Sequence, residues 1–475
     1  MTTNLPQGGQ GGGAVLAAAA AAPTDEEWRP YTAKLAVTPY QVRCGDTIEI
    51  SGTDYTPGAT VDLTWHSLEG HYEVEGRTEF VGARYEPTAT VVATTVADAR
   101  GNIRASVVVP VDFGGPHDIR GRVDGYEVSQ VGAIVMPTWE MSPVEGPIGT
   151  MIELRITGID IRPQMNTWHL LWDNHYFGAM TAVTTQGVGI ARFRAAGPVG
   201  KHWIAAWNNS YQASPYLAWA SSPYQDEFAS GLDFVFTVTD DSGVTPPEMD
   251  DFAAADDPWP IEDPGTGRLW FDSDRAPVGA RRTLHGSGLP ANEQLPLIWG
   301  TVVGDRVTHL GIRQLRKNIG FVHTGPDGTF STEFKVPDDL GGNHRVEVCK
   351  GADTLAAAGF VILPSAVSCT TKVRAGEKIA VHLKGGGWTT YDNTYAVTYD
   401  NSYIGYGCGF STGGDLQFSF TATGAPGTHL LDLYPTIYKG EDLMPKVYSL
   451  PLLTYAYDHP IRKTPAIRFS VEIVE

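Results

Sequence analysis

The sequence lacks a long apolar run, and it is poor in cysteine and in positive charge. No stretch of about 18 consecutive apolar residues occurs, so we expect no helix that spans a bilayer. Four cysteines in 475 residues are too few for a disulfide scaffold, and none is spaced as CxxC, which leaves a zinc site poorly supported. The net charge of −20 argues against nucleic acid and against an anionic membrane surface as partners.

Several catalytic signatures are also missing. The sequence contains no HExxH pair and no phosphate-binding P-loop, and we expect no GxSxG nucleophile elbow. Because the chain has 54 acidic residues, the proximity of any two carboxylates in sequence carries no information. We therefore expect no enzymatic activity and no cofactor.

Glycine and proline are plentiful, and they indicate many turns between short strands. The chain has 54 glycines and 32 prolines, and 42% of its residues are apolar. A globular chain of this length is expected to divide into roughly three to five domains, each with its own core.

An ungapped internal repeat organises the sequence. The segment 166–207 begins NTWHLLWDNHYFG and the segment 393–434 begins NTYAVTYDNSYIG, with a constant offset of 227. Thirteen of the 42 aligned positions are identical, including Asp173 with Asp400 and His202 with His429. A match at one fixed offset indicates a duplicated structural unit.

A second pair of segments repeats in the same way. Trp65 aligns with Trp299 at an offset of 234, and His117 aligns with His344 at 227. The first copy thus carries seven extra residues, which we place in loops. The proposed order is A–B–A′–B′, with these boundaries: leader 1–30, domain A 31–137, domain B 138–240, an acidic Pro-rich linker 241–265, domain A′ 266–363 and domain B′ 364–475.

Short alternating segments broken by Gly and Pro predict an all-β fold, with four tandem immunoglobulin-like β-sandwiches in the duplicated array. The segment from Ser142 to Gly158, SPVEGPIGTMIELRITG, and the later Gly-x-His steps resemble the bacterial Ig-like and IPT/TIG-like domains. The resemblance implies an extracellular spacer, adhesion or binding role without catalysis.

The N-terminal segment leaves two alternatives for the leader. Ala14 to Ala22 has the length and the small residues of a signal peptide, but the first basic residue is Arg29. The leader is thus a secretory signal or a flexible Gly/Ala segment. We expect an extracellular or cell-surface location.

Aromatic residues in two insertions are the candidate binding residues. Both B-type units carry a long excursion before their last strand, at 207–232 and 434–467. The candidates in these insertions are Tyr211, Tyr216, Trp219, Tyr448 and Tyr455. On loops held by a sandwich they would contact a protein or a glycan. The alternative is that they hold the insertions down or pack between domains.

Two Asp-Asn pairs are weak candidates for a metal site. Asp173 and Asn174, and Asp400 and Asn401, follow the aromatic strand of each B-type unit. Asp and Asn commonly form turns through side-chain hydrogen bonds to the backbone. A calcium or sugar-hydroxyl site is the alternative, although no calcium-loop spacing accompanies the pairs.

Histidines recur at one place in each unit, after a glycine and at the start of a late strand. They are His117, His202, His344 and His429. Four ligands in four separate domains cannot share one zinc ion, so we expect structural roles. A disulfide between Cys369 and Cys408 remains open, with unpaired thiols as the alternative.

The charged segments predict further features. The linker should be extended and self-repelling. Residues 311–320, GIRQLRKNIG, read as a basic loop.

The best functional interpretation is a non-enzymatic structural or binding protein of an extracellular surface, envelope or secreted assembly. The sandwiches would be spacers and the aromatic loops contact sites, with a protein, a glycan or further copies of the chain as partners. The alternatives are a carbohydrate-binding protein and a virion surface or decoration component.

Overall fold

The computed structural model describes residues 30–210, 214–218, 221, 231–250, 265–305, 311–438, 447–448 and 450–475. These residues form four two-sheet sandwiches in tandem, so the predicted all-β, immunoglobulin-like array is confirmed. A 3-10 turn occupies Phe410–Thr412. We call the sandwiches A, B, A′ and B′ in chain order.

Domain A has eight strands. They are β1 (Lys34–Thr38), β2 (Gln41–Val42), β3 (Thr47–Thr53), β4 (Thr60–Glu75), β5 (Glu79–Val96), β6 (Ile103–Val108), β7 (Gly115–Val123) and β8 (Tyr126–Val135). One sheet has the order β1-β3-β6 and the other the order β2-β8-β7-β4-β5. Only the short β2 pairs in parallel, with β8.

Domain B repeats this plan. Its strands are β9 (Thr138–Ser142), β10 (Glu145–Gly146), β11 (Met151–Thr157), β12 (Thr167–Trp172), β13 (His175–Met180), β14 (Val188–Arg194), β15 (Gly200–Asn209) and β16 (Leu232–Val238). The sheets have the orders β14-β11-β9 and β10-β16-β15-β12-β13. A further short strand, β17 (Glu248–Met249), lies in the linker.

Domain A′ has the topology of A. Its strands are β18 (Arg268–Phe271), β19 (Arg275–Pro277), β20 (Arg281–Ser287), β21 (Gln294–Asp305), β22 (Gly311–His323), β23 (Phe330–Lys335), β24 (Gly342–Lys350) and β25 (Asp353–Leu363). The sheet orders are β18-β20-β23 and β19-β25-β24-β21-β22.

Domain B′ has the topology of B with additions. Its strands are β26 (Ser365–Cys369), β27 (Lys372–Arg374), β28 (Lys378–Lys384), β29 (Thr394–Tyr399), β30 (Ser402–Cys408), β31 (Leu416–Thr421), β32 (Gly427–Tyr438), β33 (Val447–Tyr448) and β34 (Ile467–Val474). One sheet is β26-β28-β31. The other follows β17-β34-β32-β29-β30, with β27 beside β34 and β33 beside β32.

The cores form where alternating side chains of two sheets face each other. Trp65 and Trp299 are buried in the cores of A and A′, as their strand positions predict. Trp168, Leu170 and Trp172 all lie in the core of B, because every second residue of a strand points to the same face.

The junction within each A–B pair is repeated as well as the domains. The Gly114 amide donates to the Ile159 carbonyl oxygen at 3.1 Å, and 227 positions later the Gly341 amide donates to that of Gly386 at 2.8 Å. Each junction contains a further glycine with a positive φ. Gly187 has φ 75° and lies beside Asp112, and its counterpart Gly414 has φ 92° and lies beside Asp339. A Cβ there would lie only 2.7 Å and 2.8 Å from the Asp112 and Asp339 carbonyl oxygens, so both junctions require glycine.

Two predictions about loops are wrong. The segment 311–320 is most of strand β22, in which Arg316 pairs with Glu347 at 2.6 Å and Lys317 lies 3.5 Å from Asp339. The seven extra residues of domain A lengthen the β4–β5 hairpin instead of forming loops, since its strands have 16 and 18 residues and those of β21–β22 have 12 and 13.

The first part of the linker is not extended away from the domains. Strand β17 pairs with β34 of B′, and Asp250 forms an ion pair with the buried Arg468 at 2.7 Å. The Asp241 side chain accepts a hydrogen bond from the Thr428 amide. The expectation of self-repulsion fails here because these aspartates have partners on B′. Residues 251–264 lie outside the described part.

All four cysteines lie in the described residues, and all four are free thiols. The disulfide between Cys369 and Cys408 is therefore absent. Cys369 lies on β26 and Cys408 on β30, in different sheets of B′. Burial raises the pKa of the Cys369 thiol to about 12, which keeps it protonated.

Candidate interaction surfaces

The recurring histidines of A and A′ belong to an aromatic cluster in each core. His117 stacks on Trp65 at 4.9 Å between ring centroids, and His344 stacks on Trp299 at 4.3 Å. The indole Nε1 of Trp65 donates to Asp112 at 2.7 Å, and that of Trp299 donates to Asp339 at 3.0 Å. Because both copies use the same partners, these polar side chains serve packing and hydrogen bonding.

In B and B′ the recurring histidine pairs with the aspartate of the Asp-Asn turn. His202 Nδ1 lies 2.5 Å from Asp173 Oδ2, and His429 Nδ1 lies 2.5 Å from Asp400 Oδ2. The second carboxylate oxygen of each aspartate accepts the backbone amide that follows the histidine. All four residues of the two Asp-Asn pairs have φ values between 45° and 66°, as a tight hairpin turn requires.

This geometry supports the turn interpretation of the Asp-Asn pairs. Asn174 is exposed, whereas Asn401 is buried and donates from Nδ2 to the Arg194 carbonyl oxygen at 2.8 Å. In the described part of the chain, no three His, Cys, Asp or Glu side chains gather where they would share a metal ion. A calcium site at these residues remains an untested hypothesis.

The charge of the His429 ring is influenced by its partners. Burial lowers the pKa of His429, but the hydrogen bond and the negative charge of Asp400 outweigh burial and raise it above 6.5. The other ring nitrogen, Nε2, faces the Ala425 carbonyl oxygen at 2.8 Å. A ring with an acceptor at both nitrogens is best satisfied when it is doubly protonated.

The candidate binding residues of the insertions fall in different environments. Tyr211 and Trp219 lie outside the described residues, and of Tyr448 only the strand assignment is described. Tyr216 is 37% exposed. Tyr455 is buried, and its hydroxyl donates to the Tyr391 carbonyl oxygen of the same domain. Tyr455 therefore packs inside the molecule, which is the alternative role considered for these aromatics.

The insertion of B′ covers an edge of domain B. The Ala179 amide on β13 donates to the Pro451 carbonyl oxygen at 2.8 Å, and the Leu453 amide donates back to that of Ala179 at 2.9 Å. Leu453 also joins the core cluster of B. Residues 451–453 of the insertion thus lie beside β13 as an additional strand-like segment.

The same insertion reaches domain A through Asp458. The Asp458 carboxylate accepts hydrogen bonds from the Tyr72 hydroxyl of A at 2.8 Å and from the Val183 and Thr184 amides of B at 3.0 and 2.9 Å. At the tip of the long A hairpin, the Tyr391 hydroxyl of B′ donates to the Arg77 carbonyl oxygen at 2.6 Å. The hairpin extension of A therefore bridges to B′.

Buried charges hold B against B′. Arg194, on the edge strand β14, forms an ion pair with Asp432 of β32, and its guanidinium also donates to the Phe469 carbonyl oxygen at 2.6 Å. Both side chains are buried. Removing one partner of such a pair leaves an uncompensated charge inside the protein, so the contact is sensitive to single substitutions.

Four exposed apolar residues were not predicted as site residues. Trp203 and Val235 are cross-strand neighbours on the outer face of domain B, and Ile404 and Tyr406 lie on the edge strand β30 of B′. A signal for Trp203 was present in the sequence: His202 and Ile204 point inward, so the residue between them must point outward. That no described residue buries Trp203 could not be predicted from the sequence.

One motif match was overlooked in the sequence. Residues 409–413, GFSTG, fit the GxSxG pattern of hydrolase nucleophile elbows. That pattern carries its chemistry only on a sharp turn from a strand into an α-helix. Here Ser411 lies in the 3-10 turn that leads to strand β31, so the structural context of an elbow is absent at this motif.

The described part of the chain holds no helix with the length and hydropathy that a membrane crossing requires.

No protein-family description and no curated protein matches the chain. Among solved structures, a Salmonella alpha-2-macroglobulin mutant is 8% identical, with 91% of this chain and 30% of that chain covered and a TM-score of 0.20. The chain thus spans about a third of that protein. The Escherichia coli adhesin FdeC is 12% identical over 70% of this chain and 98% of that chain, with a TM-score of 0.16.

A putative membrane-anchored protein from Corynebacterium diphtheriae is 12% identical, with 70% of this chain and 91% of that chain covered and a TM-score of 0.19. Similarity at this level carries no functional argument. The fold assignment rests on the sheets described above.

Proposed function

We propose that the chain is a non-enzymatic structural and binding protein of an extracellular surface, envelope or secreted assembly. The observation that carries the proposal is the way the four sandwiches are joined. Each A–B pair has the same glycine-dependent junction, and B and B′ are joined by a buried ion pair and by the B′ insertion. A chain built in this way fixes the relative positions of its outer surfaces.

The polar residues that recur in the array support this role. Asp112, Asp339 and the four recurring histidines are engaged in hydrogen bonds within their own domains. Their repetition in both halves of the chain is explained by folding alone. The exposed apolar residues, in contrast, differ between the halves and are the candidates for contact with partners.

Surface labelling of the source organism tests the proposed location. An antibody against the purified chain is applied to intact cells or particles and, separately, to permeabilised ones, with an antibody against a cytosolic protein as the control. We expect full labelling of the intact samples. Labelling that appears only after permeabilisation, together with the cytosolic control, contradicts the proposal.

Carbohydrate binding is a second candidate, and the exposure of Trp203 favours it. An exposed indole on the outer face of a sheet offers a large stacking surface at low cost in conformational entropy. A glycan array with the full chain and with Trp203→Ala tests this candidate. Glycan binding that the substitution abolishes supports it, and an array without signal rules it out for the sugars present.

A further inference from the structure

A small cavity lies between the domains of each A–B pair, at the same place in both halves of the chain. The residues that line both cavities at equivalent positions, each pair 227 apart, are Gly115 and Gly342, Pro137 and Pro364, and Trp168 and Tyr395. Gly115 and Gly342 begin strands β7 and β24 of the A-type domains, whereas Trp168 and Tyr395 lie on β12 and β29 of the B-type domains. Each cavity is therefore part of the duplicated junction.

Both cavities contain a carboxylate beside a guanidinium group, but different sequence positions supply them. Asp160 lines the first cavity, and Arg162 Nε donates to its Oδ2 at 2.8 Å. Asp392 and Arg462 line the second cavity, with Oδ2 and Nη1 separated by 3.9 Å. The counterpart of Asp160 is Gly387, and a Cβ at Gly387 would lie only 2.2 Å from the Asp392 carboxylate. Asp392 thus fills the space that a side chain at position 387 would take.

The carboxylate occupies the same place relative to the A-type domain in both halves. A Cβ at Gly115 would lie 2.6 Å from Asp160 Oδ2, and a Cβ at the equivalent Gly342 would lie 3.2 Å from Asp392 Oδ2. The two halves therefore share the polar site itself, although they do not share the residue that provides its carboxylate. A site that is kept in space while its residues change is more than a remnant of the duplication.

Each cavity is also lined by a buried residue that has a polar atom without a partner among the described residues. In B this atom is Oδ1 of Asn208, a side chain that is 2% exposed. In B′ it is the hydroxyl of Tyr395, which is 1% exposed. Burial raises the pKa of Tyr395, and the charge of Asp392 raises it further while Arg462 lowers it, which places the hydroxyl close to that pair. Buried polar atoms in folded proteins are nearly always hydrogen-bonded, to the protein or to water.

The size of the cavities and their charges limit what can bind. In each cavity the centre of a water molecule has about 10 Å³ in which to lie, which is room for one water and for nothing larger. Each carboxylate already has an arginine beside it, so neither cavity presents an unpaired negative charge to a cation. Water is also able both to donate and to accept, which suits an amide oxygen in one cavity and a hydroxyl in the other.

We propose that each A–B junction binds one internal water molecule in this cavity. In the first junction the water donates to Asn208 Oδ1 and to the Asp160 carboxylate. In the second it accepts from the Tyr395 hydroxyl and donates to the Asp392 carboxylate. The water then completes the hydrogen bonding of the junction in both halves, and this inference does not depend on the proposed function.

The substitution Tyr395→Phe tests the second site through the sign of its effect. If the hydroxyl binds water, its removal loses a hydrogen bond, and the thermal midpoint of the full chain should fall by about 2–4 °C. If the hydroxyl has no partner, its removal relieves a buried unsatisfied group, and the midpoint should rise. Tyr399→Phe on the same strand is the matched control, because the Tyr399 hydroxyl donates to the Thr423 carbonyl oxygen at 2.8 Å. Circular dichroism confirms that both variants are folded.

A high-resolution crystal structure of the full chain, with crystals soaked in rubidium bromide, tests both sites directly. We expect one density peak in each cavity, within hydrogen-bonding distance of Asn208 Oδ1 or of the Tyr395 hydroxyl, and no anomalous signal from either ion. A cavity without density, or one filled by a side chain, would overturn the inference for that junction. An anomalous peak would assign the site to an ion and overturn water as its ligand, and a higher midpoint in Tyr395→Phe would contradict the site in B′.

Discussion

Domains B and B′ share a fold and much of their interior, yet equivalent surface positions are exposed in one domain and buried in the other. The Asp-Asn turn, the histidine that pairs with it and the sheet order are the same in both. Trp203 is exposed in B, whereas Leu430 at the same position of B′ is buried against the core cluster of B. Duplication therefore copies a domain without copying its surroundings, and the differences mark where domains meet.

The largest expected loss of stability comes from the buried tryptophans of A and A′, and it should be similar in the two domains. Trp65→Ala in A and Trp299→Ala in A′ should each lower the free energy of unfolding of their own domain by about 3–5 kcal/mol, because both indoles are buried and hydrogen-bonded. Urea titration followed by circular dichroism measures the loss. A loss below about 1 kcal/mol in either domain would show that its core does not depend on the tryptophan.

A loss of similar size is expected at the B–B′ interface, and there the halves should differ. Arg194→Ala leaves Asp432 buried without its cation and should cost about 3–5 kcal/mol. The matched substitution Thr421→Ala removes an exposed side chain and should change stability by less than about 0.5 kcal/mol. Equal effects of the two substitutions in the same titration would contradict the described interface.

A smaller contrast is expected on the sheet face. Leu430→Ala should cost about 2–4 kcal/mol, because the side chain is buried between domains. Trp203→Ala, at the equivalent position, should cost less than about 0.5 kcal/mol in dilute solution. Thermal unfolding at low protein concentration measures both, and a Trp203→Ala variant that is the less stable of the two would invert the comparison.

The smallest effect concerns pH. The pKa of His429 is raised above its usual 6.5 in the folded protein, so the folded state binds the proton more tightly than the unfolded chain. The stabilisation is fully present below the unfolded pKa and is lost as pH rises through the folded pKa. The difference in unfolding free energy between wild type and His429→Gln should thus be greater at about pH 5.5 than at about pH 8.5.

A difference that grows toward alkaline pH would contradict the pairing with Asp400. Asp400→Asn is the control for this measurement, since it keeps the shape of the turn and removes the charge. We expect it to abolish the pH dependence that the His429 substitution reports.

Much of the fold was predictable because it depends on local periodicity and on the internal repeat. Two-residue alternation puts Trp168 and Trp172 on one face of their strand, which is the core face in the structure, and the fixed offset of 227 predicts equivalent domains. The segment 311–320 was predicted as a loop because charged residues follow one another there. It is a strand because its backbone pairs with β21, and because Arg316 and Lys317 form ion pairs with Glu347 and Asp339.

The candidate site was less predictable, because burial between domains depends on contacts distant in sequence. Tyr455 and Tyr216 look alike as loop aromatics, but Tyr455 lies where the B′ insertion meets other elements and is buried. Alternation along β15 predicts that the Trp203 side chain points away from the core of B. Its exposure also requires that no other domain covers it, and none of the described residues does so. No periodicity within domain B carries that information.

Hydroxyl-radical footprinting of the full chain in dilute solution tests the comparison of B with B′ most directly. Tyr406 and Trp203 should be oxidised rapidly, while Tyr434 and Tyr455, which are buried between or within the domains, should be protected. Tyr126 of domain A serves as an exposed reference. Rapid oxidation of Tyr434 at the rate of Tyr126 would show that the B′ sheet face is open and would contradict the described contact between B and B′.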